Sequence, residues 1–163
     1  MKAVAIGMLG ILLASATATA QTAAERDRIL QDFQQSVAEY STGHQCLDLF
    51  PEALNASTPA PRIFTTPVAM VFRQLIAAAI TAGGRATAMR GVNTPRHHVS
   101  ALQPFPETER NAFPQLLANA LPPLPPRLEY RLIDNDLVVR DAEADVIVAV
   151  LRDALGTTVT LKD

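Results

Sequence analysis

The sequence predicts an α+β fold in which three or so helices cover a small C-terminal antiparallel β-meander. Three observations carry that expectation. Residues 127–151 hold short apolar runs split by acidic turns. Residues 23–120 hold apolar stripes that recur every three or four positions. Between the two regions stands Pro122-Pro123-Leu124-Pro125-Pro126, a run that must be extended and stiff.

The meander is read from period two. Leu128, Tyr130 and Leu132 fall on one face of a strand over Leu128–Ile133, with Glu129 and Arg131 on the other. Asp134-Asn135 follows, two residue types that tolerate the positive φ of a tight hairpin turn. Leu137 to Arg140 returns antiparallel, and Asp141 to Ala144 turns again. Val146 to Leu151 is almost wholly apolar and valine-rich, as suits a strand covered on both faces. A helix over Glu143 to Leu155 also fits the spacing of Ile147, Leu151, Ala154 and Leu155, but the valines favour a strand.

The helices are read from spacings of three and four. Ile29, Leu30, Phe33, Val37 and Tyr40 make one stripe on a helix over Ala23 to Tyr40. Glu25 and Asp27 lie in its first turns, where they oppose the positive end of the helix dipole. The helix can run on to His44 or Leu47, though Ser41, Thr42 and Gly43 weaken it. Pro51 to Pro61 is a loop. Thr66-Pro67 opens a second helix as N-cap and first helical residue, and Gly83-Gly84 ends it. Arg73 is its one charge, so it is expected to pack on more than one side. Thr94 to Pro104 lacks periodicity and reads as loop. A third helix over Thr108 to Ala120 is split by Pro114, and its firm part starts near Phe113.

The N-terminus has the form of a secretory signal peptide over 1–20. Lys2 gives a positive start, Val4 to Ala14 a short apolar run, and Ala18-Thr19-Ala20 the small residues of a cleavage site before Gln21. The apolar run is shorter than the roughly 18 residues a span needs, so no stable membrane span is expected after cleavage. The expected location is periplasmic or secreted. Residues 21–163 are then a single small α+β domain.

Composition narrows the function classes. The 163 residues are 48% hydrophobic and 18% charged, enough for a core and against global disorder. A formal net charge of -2 argues against binding nucleic acid, which needs a basic surface. The one cysteine, Cys46, has no internal partner for a disulfide.

The candidate chemistry is sparse. His44 and Cys46 offer an imidazole and a thiol, while His97 and His98 stand far off in sequence, so a zinc or copper site lacks its full ligand set. Asp134-Asn135-Asp136 starts like a calcium loop without the required glycine and glutamate, so Asp134, Asp136, Asp141 and Asp145 are read as turn formers. No nucleophile elbow, zincin helix, P-loop or dinucleotide fingerprint is present. No catalytic, cofactor-binding or metal residue is therefore assigned, and no cofactor is expected.

Ile63 to Ile80, together with Leu121 to Leu151 and its Leu121-Pro122-Pro123-Leu124-Pro125-x-x-Leu128-Glu129-Tyr130-Arg131 motif, resembles a family of uncharacterised bacterial secreted proteins. Asp32 to Tyr40 is similar to their first helix, and Arg152 stands where members often carry proline. The resemblance implies export and this architecture, and transfers no site. The expected function is a non-enzymatic envelope protein, a binding module for an unknown envelope partner through a surface that includes a sheet edge. The alternative is a metal-responsive or redox envelope protein using His44 and Cys46.

Overall fold

Alternation of side chains along a strand lets one short sheet carry two packed faces, and the C-terminal third does this. The computed structural model of the chain describes residues 14–47, 61–83, 99–107 and 112–156, with the backbone alone for 14–21 and 44–47. Strands β1 (Leu128–Ile133), β2 (Asp136–Asp141) and β3 (Val146–Leu151) form an antiparallel sheet in the order β1-β2-β3. Val146–Leu151 is extended, so the rival helix over Glu143 to Leu155 does not form. Helices α1 (Ala14–Leu47), α2 (Thr66–Gly83) and α3 (Gln115–Ala120) precede the sheet in the chain.

The inner face of the sheet presents Leu128, Tyr130 and Leu132 of β1 with Leu137 and Val139 of β2. These pack with Phe33 and Val37 of α1, Phe72 and Ile76 of α2 and Leu117 of α3. A chain of rings crosses that core. Phe33 and Phe72 lie 4.7 Å apart, Phe72 and Tyr130 6.3 Å, and Tyr130 and Phe113 5.8 Å, all tilted as aromatic quadrupoles prefer.

The outer face is smaller. Ile133, Val138 and Ile147 pack there with Val99 and Phe105. The stretch around Val99 to Pro104, expected only as loop, is therefore part of a cover for the second face. β3 serves both faces through a β-bulge. Val139 pairs with Ala149 but Arg140 pairs with Ile147, which leaves Val148 as an extra residue. Val148 and Ala149, adjacent in sequence, consequently both join the inner core.

The turns use aspartate as expected. Asp134 and Asp145 hold φ of 55° and 54°, a region that Asp tolerates better than most residues. Of the two turn residues of the first hairpin, only Asp134 has positive φ.

Asp141 does more than turn the chain. It is fully buried, and its Oδ2 accepts from Arg127 Nε at 2.7 Å and from the Tyr40 hydroxyl at 3.3 Å. Its Oδ1 accepts the backbone N–H groups of Glu143 and Ala144, each at 3.0 Å. One carboxylate thus joins α1, the end of the proline brace and the β2–β3 turn.

Some helix expectations need correction. α1 starts at Ala14 rather than Ala23, which puts Glu25 and Asp27 inside the helix instead of in its first turns, and it runs on past Ser41, Thr42 and Gly43 to Leu47. α2 starts with the Ala69 N–H on the Thr65 carbonyl at 2.8 Å, so the cap lies one residue before Thr66. Among the described residues α2 also packs on one side alone. Val68, Val71, Phe72, Ile76 and Ala79 are buried, while Met70 is 55% exposed and Gln74, Ala77 and Ala78 are exposed. Small alanines leave little apolar area to hide, so a face without charge tolerates water. α2 is long and apolar enough to cross a membrane by length and composition, and here it contributes Phe72 and Ile76 to the core.

α3 begins at Gln115 with Pro114 at its cap, two residues later than the expected start near Phe113, while 108–111 lie outside the described residues. So do the apolar run Val4 to Ala14 before its last residue, the loop at 51–60, Gly84 and the tail at 157–163.

Tyr130 is the inner-face anchor of β1. It is 9% exposed, and its hydroxyl donates to the Pro122 carbonyl at 2.9 Å. Tyr130→Ala is expected to cost about 3–5 kcal/mol of unfolding free energy. Urea denaturation measures it, and an unchanged midpoint would contradict an inward-facing Tyr130.

Candidate functional site

A sheet of three strands has two edges, and they are treated differently. The β3 edge is strapped. Leu102 N–H donates to the Ile147 carbonyl at 2.7 Å, and Ile147 N–H donates to the Gln103 carbonyl at 2.8 Å. Phe105 N–H reaches the Asp145 carbonyl at 2.9 Å, and Pro104 bridges Val146 antiparallel.

The β1 edge has no strand partner among the described residues. Which groups it offers follows from the ladder. Ala142 N–H donates to the Arg127 carbonyl at 3.0 Å, and Leu128 and Ile133 face Asp141 and Asp136. Hydrogen-bonded pairs alternate along an antiparallel ladder, so Glu129, Arg131 and Ile133 bond toward β2. The backbone N–H and C=O groups of Tyr130 and Leu132 therefore point outward. Leu128 also points outward, with its N–H held by the Pro125 carbonyl at 2.9 Å.

A groove of about 310 Å³ runs beside this edge. Phe113, Ala118, Pro122, Pro123 and Leu124 line it together with Leu128 to Arg131. The stiff proline run holds one wall, and Tyr130 links that wall to the strand through Pro122. Burial pushes the Tyr130 phenol well above its ordinary value, so its hydroxyl stays a neutral donor.

On the outer face, charges form a row across the strands. Arg131 Nη2 donates to Glu129 Oε2 at 2.7 Å, and Arg140 donates to both Glu129 and Asp145. The Arg140 guanidinium also lies 4.8 Å from the Phe105 ring centre, a cation–π contact. An edge flanked by such charges is protected against indiscriminate pairing.

A larger cleft of about 570 Å³ opens between Arg62, Thr65 and Thr66 on one side and Ser100, Val150 and Arg152 on the other. Among the described residues its lining has hydroxyls and guanidiniums but no carboxylate, imidazole or thiol. Arg152 is already engaged by Asp136 Oδ2 at 2.6 Å and by the Val99 carbonyl. Among the described residues the cleft has no acid–base pair, and the groove at β1 has the backbone groups without a strand partner.

The histidines and the cysteine weighed for metal chemistry fall outside the described side chains. His44 and Cys46 lie at the end of α1, where the backbone alone is described, and His97 and His98 lie outside the described residues. Among the described residues no three His, Cys, Asp or Glu side chains cluster to hold a metal. Asp136 is used structurally, accepting the Asp153 N–H at 2.8 Å and Arg152.

No family model, curated protein or solved structure matches the chain.

The Tyr130 phenol carries a pH prediction. The folded chain keeps a proton that the unfolded chain releases near 10.0. Its contribution to stability is thus complete below that pH and is lost as pH rises above it. Thermal melts between about pH 8 and 11 are expected to fall less steeply for Tyr130→Phe than for the natural chain, and identical slopes would contradict burial of this hydroxyl.

Proposed function

We propose that the protein is an exported, non-enzymatic binding module of the cell envelope that takes a partner's strand onto the β1 edge. The observation that carries this reading is the outward row of Tyr130 and Leu132 backbone groups beside an apolar groove. Strand addition supplies affinity through main-chain bonds and specificity through pockets for alternate side chains. The groove along Phe113, Pro123 and Leu124 is such a pocket.

Export is supported by Lys2, the apolar run Val4 to Ala14 and Ala18-Thr19-Ala20. It is compatible with the packing of α1, whose residues 22–28 are exposed and whose described side chains join the core from Ile29 onward, after the cleavage site before Gln21.

Selection of displayed random peptides on the purified protein tests the reading, with amide hydrogen exchange on each complex. Bound peptides are expected to slow exchange at the Tyr130 and Leu132 amides. A selection without binders, or binders that leave both amides unchanged, would overturn it.

A further inference from the structure

We infer that the strand received at the β1 edge is β1 of a second copy of this chain, paired antiparallel about Tyr130. This rests on the reading of that edge as the binding surface and names its occupant. Residues 128–132 read Leu-Glu-Tyr-Arg-Leu, a run that is symmetric in apolar character and antisymmetric in charge about its centre. With Tyr130 opposite Tyr130, Leu128 faces Leu132 and Glu129 faces Arg131 on both sides of a twofold axis.

The hydrogen-bond parity agrees with this register. Tyr130 points its backbone groups outward, so the central pair exchanges two bonds. The Leu132 N–H of each copy meets the Leu128 carbonyl of the other, and the Leu128 N–H keeps its bond to Pro125. Glu129 and Arg131 then occupy a non-hydrogen-bonded pair, where opposed side chains come closest. Glu129 retains Arg140 of its own chain and exchanges its own Arg131 for Arg131 of the other copy.

Alternatives are disfavoured by the same pattern. A one-residue slip sets outward groups against inward ones. A two-residue slip sets Glu129 against Glu129 or Arg131 against Arg131, and like charges directly opposite destabilise a pair. The assembly also stops at two copies. A twofold interface uses up both β1 edges, and each β3 edge is covered by its own strap at 102–105. The product is one continuous sheet built from two three-stranded halves.

The test is sedimentation velocity of the purified protein over a range of concentrations, with Glu129→Arg and Arg131→Glu separately and mixed. The natural chain is expected to move from monomer to dimer as concentration rises. Each single variant places like charges opposite each other and weakens self-association by more than about tenfold. Mixing the two variants restores the dimer, because one copy is then basic at both positions and the other acidic at both.

In the natural chain the Tyr130 and Leu132 amides exchange more slowly as concentration rises, which reports the same contact if a variant misfolds. A natural chain that stays monomeric throughout, single variants that dimerise unchanged, or a mixture that stays monomeric would each overturn self-pairing. Self-pairing alone fails if displayed peptides still protect Tyr130 and Leu132 in a monomeric chain. The edge reading fails with it if those amides respond to neither.

Discussion

A carboxylate without exposed surface sits where three parts of this chain meet. Asp141 accepts from Arg127, from the Tyr40 hydroxyl and from the N–H groups of Glu143 and Ala144. Removing two charges from water costs several kcal/mol per ion, and their attraction repays this only when the remaining hydrogen-bonding sites are filled. Around Asp141 they are filled. What such a pair contributes is therefore less net stability than choice of register. A slip of β1 against β2 would separate Arg127 from Asp141 and strand both charges in the interior, and it would turn Leu128, Tyr130 and Leu132 away from the core.

Register in turn decides what the sheet shows to its surroundings. With Arg127 opposite Ala142, the backbone groups of Tyr130 and Leu132 have nowhere to go but the edge. The two edges are then unequal by construction. β3 is bridged by the segment around Pro104, while β1 stands beside a groove walled by a proline run that cannot itself pair as a central strand. The outer row of Glu129, Arg131 and Arg140 keeps that edge selective, because any strand laid there must match its charges.

Much of this is legible in the sequence. β1 and β3 have the boundaries that alternation and valine content imply, and the aspartates sit at turns for the reason that aspartate favours turns. Alternation marks β2 only as Leu137 to Arg140, and the strand is longer by Asp136 and Asp141, since residues typical of turns also close ladders. The Arg127–Asp141 pair is hidden for that same reason. Asp141 sits in a run that already explains itself as a turn, and its partner lies across the sheet rather than nearby in the chain. The strap at 99–107 is not legible, because Val99 and Phe105 are too far apart to set a period. Nor is the bulge at Val148, which shows only in the pairing. An edge can be anticipated from the strand count, but the outward row needs one hydrogen bond, from Ala142 to Arg127, to establish its parity.

The buried pair acts as one unit, and a double-mutant cycle on Asp141→Ala and Arg127→Ala measures that directly through urea unfolding. Each single replacement strands the other charge and is expected to cost about 3–5 kcal/mol. The double replacement is expected to cost less than the sum of the two by more than about 1 kcal/mol, since it leaves no orphaned charge. Additive costs, or single replacements that leave the unfolding midpoint in place, would mean that the register is held by something other than Asp141.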